Sequence, residues 1–439
     1  MSYILLLDIG KTNKKCFVFD EDYQIVFEKN TQFAETTDED GEPCEDLELL
    51  KNWILASVRE VLDDARFQIR AINCTTYGAS FVHLDSRGQP LTALYNYLKP
   101  YPRELQKQFF DTYGSEENIS LETASPELGS LNSGLQLYWL KHQKPWIFKQ
   151  IKWSLHLPQY VSYVISLVVN LEVNSPGDSE SPGEFTSKFT TSEITSIGCH
   201  TMLWDFRKND YHDWVKAEGI LEKFPPLVKS GGDFKSPPDY PKINIGHGLH
   251  DSSAALIPYL ACFEEPFVLI STGTWCISLN PFNQEPLTSE ELAQDCLCYL
   301  SYEDNPVKAA RYFGGYEHEQ AVKIMAAEFG VAEDFYRQVQ IPEDLKTRYL
   351  AFMQQLVEKQ VASTRLAVGN CPIRRIFVDG GFSKNEIYMR LLAASFPEME
   401  VFAAEVSQAT ALGAAMSIHS SWNKKPLSKH LILRKQIMG

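Results

Sequence analysis

The sequence predicts an α/β protein of two domains, and three observations lead there. The chain has 439 residues, more than one hydrophobic core usually supports. Short continuous apolar runs of the kind buried in a sheet centre alternate with segments of helical periodicity. One pattern, an apolar strand entering a Gly/Thr turn and then a returning strand, opens each half. It is a weak internal repeat, carried by pattern more than identity.

Ile4 to Leu7 is the first apolar run, ending at the turn Asp8-Ile9-Gly10-Lys11-Thr12-Asn13. Cys16 to Phe19 and Ile25 to Phe27, around Asp20-Glu21-Asp22, read as a hairpin. Leu47 to Leu62 is amphipathic and helical, and Ile69 to Thr75 returns as a strand. Phe81 to Leu84, the turn Ser86 to Pro90 and Leu91 to Leu94 predict a second hairpin. Leu135 to Val169 reads as mostly helical, and Asn174 to Ser187 as a surface loop. Ser230 to Lys242, dense in Gly and Pro, is the linker candidate. The predicted domains are therefore 1–240 and 241–439.

In the second half Phe267 to Ile270 enters Ser271-Thr272-Gly273-Thr274, with Trp275 to Leu279 as the returning strand. Asp344 to Val361 predicts a long helix with Tyr349, Leu350, Met353, Leu356, Val357 and Val361 on its inner face. Ile376 to Val378 is a strand, Asp379 to Ser383 a turn, and Glu386 to Ser395 a helix. Val401 and Phe402 make a short strand before Thr410 to Ile418, a small-residue helix suited to close packing.

With 57 acidic and 41 basic residues the net charge is -16, which argues against nucleic acid or an anionic membrane as partner. A phosphate ligand stays open, since backbone N–H groups and Mg²⁺ can carry it. The nine cysteines form no framework and no zinc spacing, so buried thiols are expected. The opening MSYILLLDIG meets Asp8 without a basic n-region, and Tyr160 to Val169 is about half a bilayer span. A soluble, cytoplasmic protein is expected.

Either Gly/Thr turn could be a plain hairpin or a cradle of N–H groups for polyphosphate. In the second reading Asp8 holds Mg²⁺ and Lys11, Lys14 or Lys15 adds charge. Asp251 follows the Gly-rich stretch Gly246-His247-Gly248 and precedes a helix. It suits both a helix cap and a proton acceptor for a substrate hydroxyl. His250 reads as structural. Asp379-Gly380-Gly381-Phe382-Ser383-Lys384-Asn385 is a strand-to-helix turn against which adenosine could lie.

In this order and spacing, DIGKT (8–12), GLHDSSAA (248–255), STGTW (271–275), DGGFSKN (379–385) and ATALGAA (409–415) resemble the FGGY carbohydrate kinases. The resemblance runs from the first strand to about Ile418. It implies two ribonuclease-H-like (actin-like ATPase) domains flanking a cleft, with sugar mostly on the first and ATP mostly on the second. Asp251 matches the catalytic base. Asp8, Gly10, Lys11, Thr12, Ser271, Thr272, Gly273 and Thr274 match the phosphate turns, with Asp8 as metal ligand. Gly380, Gly381, Ser383 and Asn385 match the adenosine site. ATP and Mg²⁺ are the implied cofactors, a small sugar the partner, and a homodimer the family-level expectation. Hinges are expected near Pro237 to Asn244 and Gly413.

Tyr77-Gly78-Ala79-Ser80 and the Gly-His-Asp neighbourhood are most similar to the rhamnulokinase and L-fuculokinase branch. That branch usually has an acidic residue where Ser80 stands, and a Tyr/Trp-x-Asp-x-Arg motif where this chain reads Tyr95-Asn96-Tyr97-Leu98-Lys99. Tyr77, Gly78, Ser80, Tyr95 and Asn96 are the expected sugar contacts beside Asp251, and packing is the alternative for each side chain. Three functions follow from the resemblance. They are a sugar kinase acting on a ketose such as a deoxy-ketohexose or pentulose, an actin- or chaperone-like nucleotide-driven protein, and a kinase homologue turned sugar- or nucleotide-binding regulator.

Overall fold

Burial on both faces explains the first strand: Ile4, Leu5, Leu6 and Leu7 are all fully buried, as in a sheet covered by helices on each side. In the computed structural model, residues 1–171, 188–234, 243–338, 340–404, 408–427 and 433–435 are described. The first part of the chain forms β1 (Tyr3–Ile9), β2 (Asn13–Phe19), β3 (Ile25–Gln32), α1 (Leu47–Leu62), β4 (Ile69–Thr76) and β5 (Phe81–Leu84). It continues with α2 (Ser133–Gln143), β6 (Trp153–His156), α3 (Leu157–Leu171), β7 (Asn244–Gly246), β8 (Leu249–His250) and α4 (Asp251–Cys262). Then come β9 (Phe267–Thr272), β10 (Cys276–Asn280), β11 (Pro306–Tyr312), α5 (Gly314–Phe329), α6 (Glu343–Val368), β12 (Arg375–Gly380), α7 (Glu386–Ser395), β13 (Glu400–Ala404) and α8 (Ala409–Ser417).

One sheet runs β3-β2-β1-β4-β7, with β1 antiparallel to β2 and parallel to β4. Leu5, Leu7 and Ile9 pack beneath α1 and α3, while Ile4 and Leu6 pack on the other face with Ala254, Ile257, Ala411 and Ala414. The second sheet has the same order and senses, β11-β10-β9-β12-β13. Val268 and Ile270 lie in a core with residues of α5, α6 and α7. The repeat seen faintly in sequence is thus a repeat of topology.

The chain divides into Met1–Ala261 with Cys298–Asn305 and Gln408–Ser428, and Cys262–Leu297 with Pro306–Ser407 and Lys429–Gly439. The expected boundary at 240/241 is therefore misplaced. β7 and β8 extend the first sheet by pairing with β4, so Asp251 belongs to the first unit. The small-residue helix α8 also returns there. A Cβ at Gly413 would lie 1.8 Å from Ala254 O, the close crossing its composition predicted.

Three local expectations change. β5 forms its ladder with β6, while the predicted hairpin is kept only at its closed end, with Asp85 N–H on Gln89 O at 2.9 Å, Leu91 N–H on His83 O at 2.8 Å and a bridge between Leu84 and Pro90. β6 also interrupts the predicted helical stretch. Leu350 is exposed, whereas Tyr349, Met353, Leu356 and Val357 are buried. Asn174 to Ser187 and most of the linker, including Pro237 to Lys242, fall outside the described residues. Seven of the nine cysteines are buried.

Candidate active site

Asp251 owes its place to two glycines and a buried asparagine. Asn73 Oδ1 accepts from Cys74 N–H (2.9 Å) and Gly248 N–H (3.2 Å), tying the β7–β8 turn to β4. Gly248 has φ +77°, where a Cβ would meet Pro158 O at 2.6 Å, and a Cβ on Gly246 would meet Asn73 Oδ1 at 2.2 Å. Only glycine suits either position. The chain leaves that turn through β8 and starts α4 at Asp251, whose Oδ1 accepts from Ser252 N–H at 2.6 Å. The side chain is 32% exposed. It takes the N–H of the next residue rather than one two or three positions on, so it is not an ordinary N-cap.

Asp8, on β1 opposite Lys15, lies in the same unit. Burial pushes its carboxyl up to about 6, and the Asp251 charge adds to the rise, while Lys15 and a hydrogen bond from Thr410 oppose it. Thr410 Oγ1 donates to Asp8 Oδ2 at 3.0 Å. Thr12 is exposed and Gly10 partly so. The lysines of this turn are already engaged. Lys14 is buried, ion-paired with Glu45 and donating to Gly10 O (3.2 Å) and Lys11 O (3.0 Å). Lys15 donates to Gln408 Oε1 at 2.7 Å.

Lys11 turns toward the residues expected to meet sugar. Its ammonium is 3.0 Å from Glu35 and 5.9 Å from the ring centres of both Tyr77 and Tyr97. Asn96 Nδ2 donates to Glu35 at 3.2 Å, and Tyr77 donates its hydroxyl proton to Glu45 at 2.6 Å. Burial, then the charges of Asp251, Glu35 and Glu45, push the Tyr97 phenol up to about 12. Tyr97 thus sits amid these carboxylates. Ser80 is buried, and Gly78 lies against the His250 ring, where a Cβ would be 2.9 Å from Nε2. Tyr95 is engaged elsewhere. Its hydroxyl bonds Glu39, and Lys99 and Lys144 lie over its ring at 4.7 and 5.8 Å. Lys99 is held by Asp38 (2.5 Å) and Asp40 (2.7 Å).

In the second unit a cavity of about 1020 Å³ is lined by Thr272, Gly273, Gly315, His318, Tyr336, Arg337, Gly381, Phe382 and Asn385, among others. Gly273 and Thr274 are exposed, and Ser271 pairs with Asp379 in the sheet. Three segments build this turn. Gly380, φ +83°, would put a Cβ 1.9 Å from Thr272 O, and Gly315 one 1.8 Å from Gly273 O. Thr272 Oγ1 donates to Asp379 O and accepts from Phe382 N–H at 3.0 Å. Arg311, Trp275, Phe313 and Tyr316 stack behind it at 5.1, 4.3 and 4.5 Å. Gly315 is not among the expected site residues; the Gly pair of Phe313-Gly314-Gly315-Tyr316, between a strand and a helix, is the signal that could have found it. Ser383 spends its hydroxyl on Gly380 O at 2.8 Å. Asn385 caps α7 through Tyr388 N–H (3.1 Å) and donates to the Tyr349 hydroxyl (2.9 Å).

Glu122, Asp205 and His212 also cluster. His212 Nδ1 accepts from Trp214 N–H at 3.2 Å, which leaves the proton on Nε2 for Glu122 at 2.8 Å. Both nitrogens are spent, so the cluster is a hydrogen-bonded support rather than a metal site.

Residues 3–236 match the N-terminal domain of the FGGY family of carbohydrate kinases. The chain belongs to this family. Residues 264–351 and 342–419 match FGGY C-terminal domain descriptions. A rhamnulokinase from Halalkalibacterium halodurans is 26% identical over 166 residues, 38% of this chain and 35% of that protein, so the match spans about a third of the relative. Among solved structures, a carbohydrate kinase from Novosphingobium aromaticivorans is 22% identical with TM-score 0.75, covering 99% of this chain and 94% of that one. Ligand-bound xylulose kinase from Lactobacillus acidophilus is 14% identical with TM-score 0.76, covering 96% and 89%. The fold is the two-domain actin-like ATPase fold. The family is one of phosphotransferases that take ATP with Mg²⁺ as donor. Among the described residues, no helix is long and apolar enough to cross a membrane.

Proposed function

We propose that the chain is an ATP-dependent kinase that phosphorylates a hydroxyl of a small sugar, a ketose such as a deoxy-ketohexose or pentulose. Asp251 is its general base. The observation that carries this reading is Asp251 itself, a partly exposed carboxylate at a helix start whose charge reaches both Asp8 and Tyr97. A carboxylate so placed can take the proton of a hydroxyl as that oxygen attacks phosphorus in line. The rhamnulokinase match favours a ketose as acceptor.

The first unit would bind sugar, with Tyr77, Gly78, Ser80 and Asn96 near Asp251, joined by Tyr97, Lys11 and Glu35. Tyr95 and Lys99, bound to their own carboxylates, would hold that wall in shape. The second unit would bind ATP in its cavity through Thr272, Gly273, Gly381 and Asn385, with Ser271 and Thr274 completing the turn. Asp8 fits Mg²⁺, a hard cation that is commonly held by one or two carboxylates and the substrate's phosphates. Its carboxyl is buried enough to favour the proton, a cost that a divalent cation would offset. Mg²⁺ would neutralise phosphate charge; Asp8 and Thr410 would hold it. The setting is the cytoplasm, where ATP is available.

ADP release across ketoses, aldoses and polyols tests the reading. Sugar-stimulated turnover is expected from wild-type protein. Asp251→Asn should reduce it by roughly 10² to 10⁴ while ATP still binds. Wild-type turnover by that variant would reduce Asp251 to a structural residue.

A further inference from the structure

We infer that Lys14 is the positioning residue of the first turn. Its buried ammonium draws the carbonyls of Gly10 and Lys11 inward, and so aims the N–H groups of Lys11 and Thr12 at phosphate. The inference rests on ATP being the donor and adds which backbone groups of this turn meet it and what aims them.

Alternation along β2 turns Lys14 to the same face as Cys16 and Val18, which pack in the core beneath α1. An apolar residue is the ordinary occupant of such a position, and lysine is almost never fully buried unless paired. Lys14 is 1% exposed. Its ion-pair partner Glu45, buried as well, stands just before α1, and the Phe33 ring centre lies 5.7 Å from the ammonium. Desolvation of two such charges offsets much of their attraction, so stability alone is a poor account of the pair.

The other contacts of the ammonium supply a better one. Nζ donates to Gly10 O at 3.2 Å and to Lys11 O at 3.0 Å, two successive carbonyls of the turn. In a trans peptide the C=O of one residue and the N–H of the next point in opposite directions. With both carbonyls on the buried ammonium, the N–H groups of Lys11 and Thr12 therefore point away from it. Gly10 N–H is spent on Asn13 O at 2.9 Å. Among the described residues, neither Lys11 N–H nor Thr12 N–H has a protein acceptor, and Thr12 is exposed. Two successive N–H groups facing one way attract an anion, whereas carbonyls turned toward it would repel it. Lys14 thus acts on phosphate from behind the turn, through the backbone and without touching the ligand. Phosphoryl transfer depends almost wholly on positioning and charge stabilisation, so the aim of these two donors bears on rate.

The test compares two variants by melting temperature and by ADP release with each ketose of the panel. Lys14→Met combined with Glu45→Gln removes both charges at nearly constant volume. Glu45→Gln alone keeps the ammonium on the two carbonyls and an acceptor for the Tyr77 hydroxyl. The double variant should melt near wild type, since no charge is left buried and unpaired. Its kcat should fall by roughly 10- to 100-fold, the effect of displacing donors by about an ångström, with ketose KM within about threefold. Glu45→Gln should melt lower, its lysine unpaired, yet keep kcat within about threefold of wild type. Activity that follows melting temperature across the two variants, or wild-type kcat in the folded double variant, would overturn the inference. If the double variant does not fold, NMR of wild-type protein decides. The Lys11 and Thr12 amide signals should shift on adding MgATP, and unmoved signals overturn the inference. Any of these failures in a wild-type protein that turns over a ketose leaves the kinase reading standing alone. Wild-type protein that releases no ADP with any ketose removes both.

Discussion

Gly10-Lys11-Thr12 and Ser271-Thr272-Gly273-Thr274 occupy the same place in two sheets of the same order, yet they are built in opposite ways. The first turn spends long side chains on its own surroundings: Lys14 on Glu45, Lys11 on Glu35 and Lys15 on Gln408. The second has no lysine and rests on backbone contact, with Gly380 and Gly315 against the carbonyls of Thr272 and Gly273. One topology therefore yields a turn held by side chains in one unit and a turn held by close backbone contact in the other. The two should fail differently. Charge substitutions should hurt the first, and added methyl groups the second.

The largest contrast is expected from glycine replacements. Gly380→Ala forces a Cβ to 1.9 Å from Thr272 O at φ +83° and should cost about 3 kcal/mol or more of stability, together with ATP binding. Gly10→Ala places its Cβ 3.3 Å from Asn13 O, and its melting temperature should move far less. Equal losses measured by thermal unfolding would break the comparison.

Asp8→Asn is the intermediate case. Burial raises the folded pKa from 3.8 to about 6, so the folded chain keeps a proton that the unfolded chain has lost between those values. Stability should fall as pH rises through that window, and the cost is complete above it. Asp8→Asn removes the cost. The variant should be more stable than wild type by about 3 kcal/mol at pH 7.5, equally stable near pH 3, and inactive as a kinase. Chemical denaturation at both pH values reads this directly.

The smallest effect on folding is expected from Gly381→Ala, since a Cβ there has nothing within 4 Å. Stability should be unchanged. Because Gly381 lines the cavity, ATP affinity measured by calorimetry should fall by roughly tenfold, the loss expected from filling ligand space. Unchanged affinity would remove Gly381 from the nucleotide site.

Much of this was legible in the sequence wherever the signal is local. β1, α1 and the helix Glu386–Ser395 follow from apolar runs and periodicity, and the five motifs fix the family. What periodicity does not carry is the choice of distant partners. β5 closes the expected hairpin only as far as Pro90 and Leu91, and its ladder partner is β6 about seventy residues on, because register follows from burial of whole faces. Lys11 reads as a phosphate ligand until Glu35 and the rings of Tyr77 and Tyr97 appear beside it. Tyr95 reads as a sugar contact until Glu39 takes its hydroxyl. Gly315 meets Gly273 across forty residues, so its role as a brace lay in space and not in the spacing of the motif.

The unit that begins at Met1 also contains Gln408–Ser428, and this sets an order of assembly during synthesis. α4, the helix that starts at Asp251, finds its close neighbour only when Gly413 arrives to lie on Ala254. Until then Ile4, Leu6 and Phe17, which share a core with Ala411 and Ala414, have one side bare. The second sheet leaves the ribosome in between, from Phe267 to Ala404, except for its edge strand Leu433–Lys435. A nascent chain stalled before Gln408 therefore carries an aggregation-prone apolar face on the half whose synthesis started earliest.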